Sequence, residues 1–205
     1  MSNQSITDYL AALAAGRATP GGGSVAALNG AMAAALLCMV CKLSLKRNLP
    51  TDVEQRLKTV LAEAEPLQIK LRRLSAADSQ AYQGVVEAQR LPKQTEAERL
   101  ARTQALEQAY RQATHTPLQT ALACAKIITL AETLVNHGRA AAAADVGAAA
   151  LSALAGLKTA QLNIIINLKF SRDDAFKQTI QAELDTIAPN LDQLATQIYH
   201  RAQKR

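Results

Sequence analysis

The chain has 205 residues, long enough for one well-cored domain and short for two. Nearly half the residues are hydrophobic, yet only 3 % are aromatic and tryptophan is absent, which favours closely packed helices with small side chains at their contacts. The net charge of +6 is compatible with nucleic acid, an anionic surface or an acidic small molecule, but no aromatics interleave with the scattered basic residues to stack bases, so nucleic acid is set aside.

In chain order almost everything reads helical. A short helix is expected from about 3 to 15, stopped by Gly16. Thr19-Pro-Gly-Gly-Gly-Ser24 follows, then an Ala/Leu-rich helix to about Leu45. Its apolar stretch at 24–41 is only about a membrane's width and carries Asn29, so no transmembrane span is assigned. The start MSNQSITDYL lacks the basic and apolar regions of a signal peptide, and three unframed cysteines fit a reducing cytoplasm.

A long helix begins after Pro50, with Thr51 or Asp52 as expected N-cap. Apolar Leu57, Val60, Ala64, Leu67, Leu71 and Leu74 repeat at three and four. Leu91-Pro-Lys93 ends it. Another helix starts near Thr95, is expected to break or kink at Pro117, and runs to Val135. Asn136-His-Gly138 makes the next break, and a helix from about 139 to 169 follows. The last segment carries Phe176, Ile180, Leu184, Ile187, Leu191, Leu194 and Ile198, with Pro189 kinking or restarting it. The reading is one all-α, single-domain bundle of long helices spanning 1–205.

Two aspartates interrupt apolar surfaces. Asp78 falls where the seam of the third helix calls for an apolar side chain, so it must be paired, hydrogen-bonded or facing a pocket. Asp145 is the only charge between Arg139 and Lys158. Ser152, Gly156, Thr159 and Asn163 share its helix face, with Asn167 at the edge. That stripe reads equally as a lined cavity or as a packing network at a subunit interface.

Gly21, Gly22, Gly23 and Ser24 put backbone N–H groups at a helix start, ready for an anion or a polar ring edge, though an ordinary start capped by Ser24 is the plainer reading. Cys38-Met-Val-Cys41 has metal-like spacing but lies in an apolar helix with no second ligand pair, so buried thiols and no metal are expected. Of the three histidines only His137, beside a helix break, is a candidate site residue.

Together these positions resemble a family. Ala18-Thr-Pro-Gly-Gly-Gly-Ser-Val-Ala-Ala-Leu-Asn-Gly, followed by Met39-Val-Cys41, looks like the opening of formiminotransferase-cyclodeaminase C-terminal domains and of stand-alone methenyltetrahydrofolate cyclohydrolases. Asp78-x-x-Ala-Tyr82, Leu91-Pro-Lys93, Ala113-Thr-x-x-Pro117, Asp145-x-Gly-x-Ala and Asn163-Ile-Ile-Ile-Asn167 recur in the same order. The chain departs at Gly138-Arg-Ala-Ala-Ala-Ala-Ala-Asp145, where relatives carry Asn and Ser side chains, and at Lys42 and Leu45.

The resemblance implies an all-helical, cytoplasmic homodimer with a tetrahydrofolate derivative as substrate, no further cofactor and no metal. Its expected partners include neither membrane nor nucleic acid. Asp78 is expected as general base and Asp145 as electrostatic support. Pro20, the loop from Gly21 to Ser24, Tyr82, His137, Asn163 and Asn167 are expected around the ligand, and Lys42 or Lys46 at a glutamate tail. The expected reaction is hydrolysis of 5,10-methenyltetrahydrofolate to 10-formyltetrahydrofolate. The alternatives are cyclodeamination of formiminotetrahydrofolate and folate binding without turnover.

Overall fold

The computed structural model describes residues 5–205, so Asn3 and Gln4 of the first expected helix lie outside the described residues. Among the described residues there are seven α-helices and no strand: α1 Ile6–Ala14, α2 Gly22–Ser44, α3 Thr51–Arg90, α4 Glu96–His137, α5 Ala143–Leu168, α6 Asp174–Asp185 and α7 Leu191–Ala202, with a 3-10 turn at Ala140–Ala142 before α5.

Four long helices make the body: α2 packs on α3 and α5, and α4 packs on α3 and α5. Leu37, Leu57, Leu71, Leu118, Ile127, Ile128, Leu134 and Ile164 are fully buried between them. The α7 helix closes one side of α5 through Ile198 and Ala195. Contacts between helices are tight because small residues allow it. A Cβ on Gly156 would stand 2.8 Å from the Ala26 carbonyl oxygen and 2.9 Å from Cys124 Sγ, and one on Gly30 would stand 2.7 Å from the same sulfur. Part of the small-residue surface of α2 and α5 is therefore used inside the chain, while Ala144, Ala148 and Ala155 of α5 stay exposed.

The helix ends correct several expectations. The N-cap of α3 is Pro50, whose own φ of −55° suits the entry, so Thr51 is the first helical residue. The α4 helix passes Pro117 without breaking and runs on to His137. Ser24 does not cap α2: Gly21 is the N-cap, and Ser24 lies inside the first turn. The last segment restarts after Pro189, one of the two outcomes expected there, and is two helices with Asn190 as the N-cap of the second. Gly16 leaves α1 at φ +68°, a conformation glycine adopts without Cβ strain.

By length and composition three helical segments are apolar enough to cross a membrane: Gly22–Ser44, Glu96–His137 and Ala140–Leu168. The sequence reading assigned no span to the stretch at 24–41; these segments are this apolar because α2, α4 and α5 form the bundle core, where half or more of each apolar window is buried against other helices.

The three cysteines are buried and free. Burial pushes the Cys41 and Cys124 thiols up to about 12. Among the described residues no group of three or more His, Cys, Asp or Glu side chains gathers as metal ligands would.

Candidate functional site: a carboxylate on the first turn of α2

The first turn of α2 is built without side chains where it meets α3. A Cβ on Gly23 would collide with Asp78 Oδ1, so the Asp78 carboxylate occupies the space that only glycine leaves. The backbone N–H of Ser24 stabilises the ionised carboxylate, but burial acts more strongly and pushes its pKa above the usual aspartate range. Asp78 has no ion-pair partner among the described residues. A carboxylate that is partly desolvated and unpaired is a stronger base than one in water, even with one amide donor opposing the shift.

Three hydroxyls brace the same turn. Ser24 Oγ lies 2.7 Å from Ser75 Oγ and 3.0 Å from the Tyr9 hydroxyl. Ser75 stands one turn before Asp78 on α3, and both serines are only 1 % exposed. On the other side of α2, Asn163 Nδ2 and Thr159 Cγ2 each lie 3.9 Å from a Cβ position on Gly22. The Asn163 amide also donates to the Thr159 carbonyl at 2.7 Å. Tyr82 is a turn beyond Asp78 on α3 and is exposed. Pro20, joined to Thr19 by a cis peptide, leads into the loop.

Asn167 makes its hydrogen bond to the neighbouring helix. Its amide donates to the Ala113 carbonyl at 2.8 Å, a bond from α5 to α4.

The remaining expected residues stand at the far end of the bundle. Ser24 and Lys42 are about 27 Å apart along α2. Lys42 pairs with Glu65 at 2.7 Å and lines, with Lys46 and Cys38, a groove of about 620 Å³ between α2 and α3. His137 ends α4, and just beyond it the Arg139 N–H donates to Ser44 Oγ at 2.8 Å, fixing that junction to the last turn of α2. Asp145 is half-buried in the first turn of α5, whose cap residue Ala142 offers no side-chain acceptor. There a negative charge complements the exposed helix amides. Asp145 and Thr159 are about 21 Å apart along α5, so the two aspartates do not meet within one chain.

A second groove, of about 700 Å³, lies between α1 and the α2–α3 pair. Ile6, Leu10, Leu13, Val25, Leu28 and Met32 give it apolar walls, and Asn29, Gln68 and Arg72 its polar groups. It shares Ala35 and Gln68 with the Lys42 groove, so a trough follows α2 along most of its length.

Tyr9 and Ser75 carried no signal in the sequence. Ser75 falls between the seam positions Leu74 and Asp78, and Tyr9 lies on a helix with no buried residue.

The formiminotransferase-cyclodeaminase family profile matches residues 5–186. The chain is 37 % identical over 203 residues to a methenyltetrahydrofolate cyclohydrolase of Methylorubrum extorquens, covering 99 % of this chain and 98 % of the relative. It is 31 % identical over 188 residues to a formimidoyltransferase-cyclodeaminase of Sus scrofa, covering 92 % of this chain but 35 % of that longer protein. The fold matches a crystal structure of a formiminotetrahydrofolate cyclodeaminase from Thermotoga maritima with a TM-score of 0.81 and 27 % identity, over 98 % of this chain and 95 % of that one. The chain belongs to the formiminotransferase-cyclodeaminase family.

Proposed function

We propose that this chain hydrolyses 5,10-methenyltetrahydrofolate to 10-formyltetrahydrofolate, with Asp78 as the proton acceptor. The observation that carries the reading is the end-to-end similarity to a relative named for that activity, with Asp78 set unpaired against Gly23. Water adds to the cationic carbon held between N5 and N10, and Asp78 takes its proton. The tetrahedral adduct then collapses: its hydroxyl gives up its proton and becomes the formyl carbonyl, the bond from carbon to N5 breaks, N5 takes up the proton that Asp78 holds, and the carbon remains on N10 as the formyl group. A positioned carboxylate contributes about 10²–10⁴-fold to such a step.

Cyclodeamination is the second reading, supported by the formimidoyltransferase-cyclodeaminase relatives and by the fold shared with the Thermotoga maritima formiminotetrahydrofolate cyclodeaminase. It passes through the same kind of tetrahedral carbon, with ammonia as the leaving group.

The proposed active form is a cytoplasmic homodimer. One chain keeps Asp78 and the Gly-rich turn about 27 Å from Lys42 along α2, too far for one compact ligand. The midpoint between Ser24 and Lys42 falls beside Met32, which is 54 % exposed, with Ile6, Leu10, Met39 and Ile69 also exposed on the α1–α2–α3 side. A two-fold axis there, with the two α2 helices antiparallel, sets the Asp78 end of one copy against the Lys42, His137 and Asp145 end of the other. Asp145 of the second copy then supports the cationic carbon, and the lysines meet a glutamate tail.

The test is direct. The purified protein is incubated separately with 5,10-methenyl- and formiminotetrahydrofolate while the methenyl absorbance is followed. Its loss beyond the uncatalysed rate is expected with the first. Its appearance with the second selects the cyclodeaminase, and no change with either overturns both.

A further inference from the structure

The proposed chemistry does not use Tyr9, yet this phenol is what joins α1 to the buried part of the site. The α1 helix has no buried residue, and its start is closed by its own capping box of Ser5 and Asp8. Tyr9 reaches past this outlying helix and places its hydroxyl 3.0 Å from Ser24 Oγ, which lies 2.7 Å from Ser75 Oγ. Each hydroxyl can donate or accept, and the three form a continuous chain from Tyr9 through Ser24 to Ser75.

Ser24 is thus held at two points. Its side chain is fixed by the hydroxyl chain, and its backbone continues from Gly23, which has the Asp78 carboxylate directly against it. No side-chain cap secures this turn of α2, and Gly21, Gly22 and Gly23 give the backbone before it wide freedom. The hydroxyl chain is the anchor that a glycine-rich turn lacks.

We propose that Tyr9 is a positioning residue of the Asp78 site, which through Ser24 and Ser75 holds the Gly23–Ser24 backbone against the carboxylate. The inference rests on the reading of Asp78 as the proton acceptor. A side chain from α1 thereby fixes the geometry of a base on α3 without touching it.

Tyr9→Phe keeps the ring in place and removes only the hydroxyl. It is compared with Thr7→Ala, an exposed change on the same helix, and with Ser75→Ala, which cuts the chain from the α3 side. Three quantities are read: melting temperature, kcat and KM on methenyltetrahydrofolate, and hydrogen exchange of the backbone over residues 20–26. The expected result for Tyr9→Phe and Ser75→Ala is a kcat lower by roughly ten- to a hundredfold with KM within about twofold. Exchange at the Ser24 amide should quicken while the rest of the bundle stays protected, and Thr7→Ala should match the parent in all three.

A purely structural bond would lower the melting temperature and leave turnover per folded molecule unchanged, and that result overturns the proposal. Unchanged exchange at Ser24 overturns it too. Asp78→Asn, run alongside, separates the two levels. If it is inactive while Tyr9→Phe behaves as the parent, only the role of Tyr9 falls. If Asp78→Asn turns over normally, the reading of Asp78 falls and the role of Tyr9 with it.

Discussion

The Asn167 side chain on α5 donates its amide to the carbonyl of Ala113 on α4, and Ala113 is the residue four places before Pro117. Proline has no N–H, so Pro117 leaves that carbonyl without its helical partner. Asn167 replaces the missing donor from the neighbouring helix, and α4 continues. At Pro66, the other proline inside a helix, the freed carbonyl belongs to Ala62 on the exposed side of α3, where it is open to solvent.

This relationship predicts a double-mutant result. Asn167→Ala should cost about 1–2 kcal/mol, the range for leaving a half-buried carbonyl unsatisfied. In a Pro117→Ala background the backbone N–H returns, and the same change should cost measurably less. Denaturant unfolding of the four proteins gives the coupling energy, and simple additivity would refute the pairing.

Asp78→Asn should separate stability from activity. Burial holds the Asp78 carboxyl above the usual aspartate range, against the opposing pull of the Ser24 N–H. The fold therefore favours the neutral acid. Its contribution to stability is fully present below the unfolded aspartate pKa of about 3.9 and is lost as pH rises through the higher folded value. Asparagine keeps an acceptor for Ser24 and carries no charge. At pH 7 the variant should melt no lower than the parent, and any gain should vanish as pH falls toward 4. Turnover should drop at least about a hundredfold. A lower melting temperature at pH 7 with full turnover would contradict both parts.

Gly156→Ala should strain the crossing of α2 and α5, because the new Cβ would stand 2.8 Å from the backbone oxygen of Ala26, which has no side-chain freedom to yield. A loss of about 1–3 kcal/mol is expected from overpacking. Gly84→Ala is the comparison, since nothing lies within 4 Å of its Cβ position. There the change should be neutral or slightly stabilising, as expected for glycine to alanine inside a helix. Thermal melts of both variants check the contrast.

Met32→Arg should split the proposed dimer by bringing two positive charges together near its axis, with little effect on the fold of each chain because the side chain is exposed. Light scattering at micromolar concentration should report a dimer for the parent and a monomer for the variant, which should also lose turnover. Asp145→Asn should keep the dimer and weaken substrate binding and turnover together. A monomeric, fully active parent would remove the shared site.

The sequence by itself determined the helical class, because apolar residues at three and four spacing and the lack of alternation leave no other way to bury the core. It also marked Asp78, since a carboxylate on an apolar seam must answer to something outside its own helix. Which small residues faced which neighbour was beyond its reach, because glycine and alanine allow close approach in any direction. Only the tertiary structure decided that Gly156 meets Ala26, that Gly23 makes room for Asp78, and that Asn167 serves Pro117. Helical periodicity fixes the direction of a side chain around its own axis. Which helices cross, and at what height, is set by packing between segments far apart in the chain, and that packing assigned Tyr9 to Ser24 and put Asp145 at the opposite end of the bundle from Asp78.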